Sequence, residues 1–335
     1  MAMCLACSSK DDDATVKRTR LLMGTLAEIT VPGPDSPEKQ AAIDKAFDEI
    51  KRVENLMSVR LKDSDVSRIN KMASGEFIAV SPETAKLIRE GIRWGKASQG
   101  SFDISVGPLV KLWDFDGGRN KVPDAKSLSA AASLVDYKNI LIDGNKVRLR
   151  LPGMALDMGG IAKGYAVDRA VAVLRENGAL AAIVNAGGDL MAYGTRADGK
   201  PWVIGLQHPR QPEELSASFT VDSAGGGTAA ATSGDYQKFF MLGNVRYHHI
   251  LDPTTGMPKR EVTSATVIAP SVMQADALAT AVFIMGPVKG KILLDKLEGV
   301  EGMWIMENGD KLFTGKFPAR PAPASGEGRS ITFQF

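Results

Sequence analysis

The chain has 335 residues, of which 44% are hydrophobic, so it can bury a large core as one large domain or two moderate ones. Its 41 basic and 39 acidic residues give a formal net charge of +2. This balance excludes a whole-protein field that would favour nucleic acid or an acidic membrane surface. No uninterrupted apolar run reaches the roughly 18 residues needed to span a bilayer, which favours a soluble body.

Both cysteines, Cys4 and Cys7, lie at the extreme N-terminus. The Leu5-Ala6-Cys7 step resembles the end of a bacterial lipoprotein signal, although the basic region and most of the apolar stretch of such a signal are missing. Two interpretations stay open, a truncated signal and a plain tail. The first predicts an exported lipoprotein at the periplasmic face of the membrane, anchored only through a lipid on Cys7, with residues 1–19 as signal remnant and linker.

Hydrophobic periodicity and turn residues predict the elements in chain order. A strand over 21–31 comes first. Helices are predicted over 37–58, 82–100 and 160–177; two of them start at a Ser-Pro pair and the third ends at Asn-Gly. Short strands follow over 182–184, 190–193, 202–206, 228–232, 245–251 and 264–268.

The C-terminal part predicts a helix over 271–285, a further helix from Pro287 and a hairpin over 303–314. Residues 317–335 form a tail in which 331–335 could add an edge strand. The elements show no strict βαβ alternation, which favours an α+β fold with a mostly antiparallel sheet flanked by helices over 20–316.

The helix that begins at Val272 is apolar almost all round, which indicates burial. Asp276 and Thr280 are the exceptions, and their spacing puts them on one face. A buried carboxylate needs a cation or several donors. Carboxylate and hydroxyl oxygens suit Mg²⁺ better than Zn²⁺, and the chain has only three histidines. The alternative is that Asp276 caps a neighbouring loop and Thr280 bonds to its own helix.

Two glycine-rich turns are candidate anion sites. In the first, Gly159 and Gly160 let the backbone approach a ligand, and Lys163 adds a positive charge in the first turn of a helix. Neither a Walker P-loop nor a Gly-x-Gly-x-x-Gly spacing is present, so a purely structural turn is the alternative. The second, over 185–189, is interpreted as a tight hairpin rather than a backbone nest.

Two adjacent histidines lie on the strand predicted over 245–251. Alternation sends His248 and His249 to opposite faces, so at most one of them is expected to be catalytic, and Asp252 could orient it. A structural role is the alternative. Further upstream, the Ser101-Phe102-Asp103 turn could grip a ring and a ribose, or be a plain loop.

Taken together, these segments resemble the ApbE family of FAD:protein FMN transferases, in the family's own order. The segments that carry the resemblance are Met23-Gly-Thr25, Asp63-Ser-Asp-Val-Ser-Arg-Ile-Asn70, Gly100-Ser-Phe-Asp103, Leu156-Asp-Met-Gly-Gly-Ile-Ala-Lys-Gly164, Asn185-Ala-Gly-Gly-Asp189, Thr232-Ser-Gly-Asp-Tyr236, His249-Ile-Leu-Asp-Pro-Thr-Thr-Gly256 and Ala275-Asp-Ala-Leu-Ala-Thr280.

The resemblance implies an α+β fold with a T-fold-like core and an enzyme that moves FMN from FAD to a threonine hydroxyl of a target protein, releasing AMP. It also implies that the targets include flavin-carrying subunits of membrane-bound respiratory electron-transfer complexes. Two other functions stay open: a Mg²⁺-dependent FAD pyrophosphatase that gives FMN and AMP, and a non-enzymatic exported lipoprotein that binds FAD.

The resemblance also implies roles for individual residues. The Mg²⁺ ligands would be the Gly160 carbonyl, Asp276 and Thr280, and His249 would be the general base. The groups that hold FAD would be Met23, Ser101, Phe102, Asp103, Asp157, Lys163 and the backbone near Ile250.

One segment departs from the family pattern. Over 56–63 many members carry a tyrosine that contacts FAD, whereas this chain has Val59 and Arg60. An arginine can stack on a ring or meet a phosphate. Arg60 is therefore a candidate FAD contact, and the balance between transferring FMN and losing it to water depends on it.

Overall fold

The structure is a computed structural model that describes residues 14–72, 74–118, 120–223 and 226–318. The lipid anchor expected at Cys7 and the edge strand expected over 331–335 lie outside these residues. Strand β1 starts at Thr15, so regular structure begins before the boundary suggested at residue 20.

The elements alternate irregularly along the chain. The helices are α1 (Pro37–Met57), α2 (Asp65–Met72), α3 (Pro82–Ala97), α4 (Gly107–Trp113), α5 (Ala125–Ala132), α6 (Ala162–Glu176) and α7 (Val272–Leu294). The strands are β1 (Thr15–Leu22), β2 (Thr25–Pro32), β3 (Ile78–Ala79), β4 (Ile140–Asp143), β5 (Lys146–Leu149), β6 (Ala182–Ala186), β7 (Asp189–Tyr193), β8 (Val203–Gln207), β9 (Leu215–Thr220), β10 (Thr228–Gly234), β11 (Phe239–Leu242), β12 (Val245–His248), β13 (Val262–Ala269), β14 (Glu301–Met306) and β15 (Lys311–Phe313).

An 8-stranded sheet of order β1-β2-β6-β7-β10-β13-β14-β15 forms the centre of the described structure. Each pair of neighbours in it is antiparallel. Helices α6 and α7 pack on one face, and α1 packs beside α6 and also contacts β1 and β2. The opposite face is covered by the β8–β9 hairpin, through buried side chains such as Trp202 and Phe219. The α+β fold with a mostly antiparallel sheet is confirmed.

Helix starts follow the capping residues that the sequence shows. Ser36 accepts a hydrogen bond from the Lys39 amide at 3.2 Å, and Ser81 accepts one from the Thr84 amide at 3.0 Å. In both helices a proline follows the cap, where its missing N–H costs nothing. The predicted starts of α1 and α3 are therefore confirmed.

Helix α7 is the one described helix that is long and apolar enough to cross a membrane by length and composition. It is mostly buried inside the protein, as expected for a core helix. Gly286, with φ of 74°, breaks the helical geometry just before Pro287. The two consecutive helices expected on either side of residue 286 are therefore confirmed, and α7 is their continuous run across this break.

Several expectations about strands and helices were wrong in detail. The strand expected over 21–31 is a hairpin, because Met23 and Gly24 have φ of 56° and 72° and turn the chain between β1 and β2. The strand expected to continue to residue 251 ends at His248. Short elements without a clear period were missed, namely α2, α4, α5, β3, β4, β5, β9 and β11.

Candidate active site

The predicted metal ligands come together where α7 passes the start of α6. Asp276 is only 3% exposed, and its Oδ2 accepts a hydrogen bond from the Gly164 amide at 3.0 Å. Thr280 lies one turn later and faces Gly160, since a methyl group at Gly160 would lie 3.2 Å from Thr280 Oγ1. The absence of a side chain at Gly160 thus lets its backbone approach Thr280.

The alternative interpretation, in which Asp276 and Thr280 have structural roles only, agrees with the contacts of Asp276 but not with those of Thr280. Asp276 does cap the start of α6 through the Gly164 amide. Thr280 Oγ1, however, lies 3.2 Å from Ser233 Oγ on β10, so its hydroxyl meets the sheet and not a carbonyl of its own helix. The hydroxyl is held at the interface between α7 and the sheet, beside the glycine turn.

Lys163 lies between two buried carboxylates. Its Nζ is 2.6 Å from Asp189 Oδ2 and 3.4 Å from Asp276 Oδ1, and it donates to the Gly159 carbonyl at 3.2 Å. Asp189 begins β7, directly after the tight turn at Gly187 and Gly188. That turn is the predicted hairpin, and the sequence assigned no role to the aspartate at its end.

The electrostatics of these three groups follow from burial. Burial raises the pKa of Asp189 and of Asp276, and Lys163 lowers both in part. Burial would lower the pKa of Lys163, but the two carboxylates raise it above its usual value. Two buried carboxylates share the single ammonium of Lys163, so a cation that binds here would allow both of them to stay ionised.

The donor set at this site consists of oxygens. Among the described residues there is no group of three or more His, Cys, Asp or Glu side chains placed to hold a metal ion. A single carboxylate, the Thr280 hydroxyl and the backbone at Gly160 leave room for water and for a ligand's own oxygens. Mg²⁺ binds in this way, since it uses few protein carboxylates and often substrate phosphates.

His249 follows β12 at the same end of the fold. Its backbone amide donates to the Lys238 carbonyl at 3.1 Å, and its ring Nδ1 has no hydrogen-bond partner in the described part of the chain. Burial, with the positive charges of His248, Lys238 and Lys163, lowers the pKa of His249 to about 3. The ring is therefore neutral at pH 7, and so weak a base needs a negative charge nearby before it can take up a proton.

His248 has a structural environment. It is buried, its Nε2 bonds the Lys259 carbonyl, and its ring meets the Phe283 ring edge-on at 5.6 Å between centroids. Asp252 accepts from the Thr254 amide at 2.9 Å and so orders its own turn instead of orienting a histidine. Because β12 ends at His248, strand alternation does not govern His249.

The 101–103 turn is held rigidly beside the glycine turn. Phe102 is buried, and a methyl group at Gly160 would lie 3.1 Å from its ring. Asp103 has both oxygens engaged, since Oδ1 accepts from the Ser105 amide and Oδ2 from the Tyr137 amide, each at 2.8 Å. The Asp103 carboxylate therefore orders its own loop, and a ligand would have to share these oxygens with the two amides.

Arg60 and Met23 lie at the edge of this site, and with Asp116 and Lys238 they form what is called the rim below. The Met23 amide donates to Glu54 Oε1 at 3.1 Å, and a methyl group at Gly24 would lie 3.8 Å from Arg60 Nη1. The Arg60 side chain is 58% exposed and forms an ion pair with Asp116. Lys238 approaches Asp116 from the other side at 3.0 Å, which links the rim to the backbone of His249.

Asp157 lies between the rim and the glycine turn. Its Oδ1 accepts from the Gly159 amide at 2.8 Å, and burial raises its pKa. Ile250 is buried, with its amide directed at the His248 ring. Among the expected FAD contacts, Asp157 and Phe102 lie against the glycine turn, and the contact of all of them with FAD stays a prediction.

Two residues that position the site had no assigned role. Asn70 forms two hydrogen bonds with the backbone of Leu156, from Nδ2 to the carbonyl at 2.8 Å and from the amide to Oδ1 at 2.6 Å. Asp168 on α6 accepts from the amides of Val272 and Met273 at 2.9 and 3.0 Å, and so caps α7. Asn70 ends one of the family segments, which was a usable signal; Asp168 gave none.

The chain is similar in sequence to proteins of one family. A sequence profile of the ApbE family matches residues 23–304. The FAD:protein FMN transferase of Vibrio cholerae is 37% identical over 275 residues, which cover 80% of each chain. The protein of the same name from Treponema pallidum is 31% identical and covers 90% of this chain and 87% of its own.

Solved structures show the same fold. The crystal structure of an ApbE protein from Thermotoga maritima superposes with a TM-score of 0.82 at 32% identity, covering 90% of this chain and 97% of the other. The flavin transferase ApbE of Vibrio cholerae gives a TM-score of 0.78 at 33% identity, covering 91% and 98%. The profile, the relatives and the fold agree, and the chain belongs to the ApbE family.

Proposed function

We propose that this protein is an enzyme that transfers FMN from FAD to a threonine hydroxyl of a target protein, in a Mg²⁺-dependent reaction that releases AMP. The observation that carries the proposal is the buried cluster in which Asp276 and Asp189 share the single ammonium of Lys163, with Thr280 and Gly160 beside Asp276. The names of its relatives support flavin transfer.

The site residues fit Mg²⁺ by their chemistry. Asp276, Thr280 and the Gly160 carbonyl would hold the ion, which would supply charge stabilisation to the pyrophosphate when bound. Lys163, in the first turn of α6, adds a positive charge close to the same place. These cationic groups would bind the pyrophosphate oxygens and fix the phosphorus that is attacked.

His249 would take the proton from the threonine. The threonine oxygen forms a bond to the phosphorus of the FMN half, the phosphorus–oxygen bond to the AMP half breaks, and the proton passes to the ring. A neutral imidazole is required for this step, and the lowered pKa keeps His249 neutral. An arriving pyrophosphate would raise that pKa and make the ring a stronger base.

The rim residues would receive the flavin or adenine end of FAD. Met23, the 101–103 turn, Asp157 and the backbone near Ile250 would line this part. Arg60 would stack on a ring or meet a phosphate, in competition with Asp116.

The acceptor and the location are also proposals. The partner would be a threonine-bearing protein of a membrane respiratory electron-transfer complex. The enzyme would act at the periplasmic face, with a lipid on Cys7 as its anchor.

The direct test is mass spectrometry of a threonine-bearing fragment of a flavin-carrying respiratory subunit after incubation with FAD and Mg²⁺. We expect a mass gain equal to FMN, its loss with EDTA, and its loss in Asp276→Ala. The control is Asp235→Ala, which removes a buried carboxylate that pairs with Arg210 at 2.7 Å and not with Lys163. Full transfer by Asp276→Ala would reject the metal assignment.

The same incubation separates the alternatives. A FAD pyrophosphatase would give free FMN and AMP with unmodified acceptor, and the exposed Arg60 in place of a tyrosine is the feature that favours measuring this reaction. A FAD-binding lipoprotein would keep FAD and release no AMP. His249→Ala should lower the single-turnover rate by about 10²-fold or more if it is the base, and an unchanged rate would reject that role.

A further inference from the structure

The ammonium of Lys163 is shared unequally between its two carboxylates. It lies 2.6 Å from Asp189 Oδ2 but 3.4 Å from Asp276 Oδ1. The carboxylates are 2% and 3% exposed, so water screens neither interaction well. Asp189 is thus the closer partner, although it lies on a different element from the metal helix.

A metal at Asp276 has to compete with this ammonium. One oxygen of Asp276 accepts the Gly164 amide, and the other faces Lys163. Two cations repel each other strongly at short range in a buried site. Binding of Mg²⁺ to Asp276 therefore requires Lys163 to give up its contact with that carboxylate.

Asp189 is the carboxylate that the Lys163 ammonium can keep as its partner when Mg²⁺ binds Asp276. It is fixed by the β6–β7 hairpin, where it pairs with Ala186 across the turn. Its Oδ2 accepts no hydrogen bond with good geometry in the described part of the chain, so the ion pair with Lys163 is its main compensation. The Gly159 carbonyl, 3.2 Å from Nζ, is a further acceptor for the ammonium.

This inference rests on the proposed metal site. We propose that Asp189 is a positioning residue that holds Lys163 away from Asp276 and thereby keeps Asp276 available to Mg²⁺. Asp189 acts through Lys163 and is not itself a metal ligand. Without Asp189, the ammonium would settle on Asp276 and compete with the ion.

The test is a double-mutant cycle read by calorimetric titration of Mg²⁺ into the FAD-free full-length protein. Asp189→Asn should weaken Mg²⁺ binding by about tenfold, within the range of coupling between contacting residues. Lys163→Met should tighten it, because the competing cation is gone. In the Lys163→Met background, adding Asp189→Asn should change the dissociation constant by less than about twofold.

Each other result overturns the proposal. If Asp189→Asn weakens binding equally in both backgrounds, Asp189 is a ligand or a simple source of charge. If Asp189→Asn leaves the affinity unchanged, or Lys163→Met weakens it, no competition exists. The Lys163→Met measurement stands on its own if Asp189→Asn fails to fold.

Two further measurements distinguish the proposed role of Asp189 from a general loss of structure and from the proposed transferase function. Asp235→Asn, which alters the ion pair between Arg210 and the buried Asp235, should leave Mg²⁺ affinity unchanged. A wild-type protein that binds no Mg²⁺ would overturn both the metal assignment and this inference. Absence of FMN transfer with the cycle behaving as expected would reject the function alone.

Discussion

Gly164→Ala tests whether the position of Asp276 is set by close contact between α6 and α7. A methyl group at residue 164 would lie 2.7 Å from the carbonyl carbon of Val272 and 2.9 Å from Asp276 Cβ. Non-bonded carbons normally approach to about 3.5–4.0 Å. The start of α7 would have to move by about 1 Å, and Asp276 would move with it.

The magnitude follows from two opposing terms. Replacing a helical glycine by alanine gains about 1 kcal/mol of helix propensity. Overpacking a rigid contact costs about 1–3 kcal/mol, and occasionally more. The obstacle here is the backbone of Val272, held by the Asp168 cap, and it cannot rotate away. Because this obstacle is rigid, the upper end of the overpacking range applies, and after the gain in helix propensity we expect a net loss of about 2 kcal/mol in the free energy of unfolding.

The assay combines denaturant unfolding with calorimetric titration of Mg²⁺. The matched control is Gly91→Ala, also in a helix, where the new methyl group would meet side-chain carbons of Ile104 at 2.7 Å. Ile104 is buried, so the control should also lose stability, but it should keep its Mg²⁺ affinity, whereas Gly164→Ala should bind Mg²⁺ more weakly. Wild-type stability and affinity in Gly164→Ala would refute the reasoning.

Three further predictions concern the surroundings of the site. Asn70→Ala should lower the free energy of unfolding by about 2–3 kcal/mol, because both backbone groups of Leu156 lose their partner; urea unfolding measures this, and a loss below about 0.5 kcal/mol would contradict the role. Arg60→Tyr should tighten FAD binding by about two- to tenfold through ring stacking, and an unchanged or weaker affinity in a fluorescence titration would reject this. The His249 ring has a pKa of 6.5 in the unfolded chain and of about 3 in the folded protein. Between these two values the unfolded chain binds a proton that the folded protein does not bind. The wild type therefore loses stability as pH falls through this window. His249→Gln should flatten that dependence by up to about 1.4 kcal/mol per pH unit, and equal slopes in denaturant titrations would show that His249 contributes nothing.

The sequence alone determined the elements with strong local signals. Ser36-Pro37 and Ser81-Pro82 placed two helix starts because a hydroxyl cap and a proline act within one turn of the chain. The apolar helix with Asp276 was correctly expected to be buried, since its periodicity left no polar face. The family segments identified the fold class and the family.

The remaining features depend on contacts between distant parts of the chain. Asp189 lies in a hairpin that the sequence predicted, yet only the packing of β7 against α6 brings it to Lys163. Asp168 is an ordinary helical acid until the fold sets it beneath the start of α7. The sequence therefore determined which groups are available for the site. The tertiary structure decided which of them share charge, because burial and distance, not order along the chain, set the strength of electrostatic interactions.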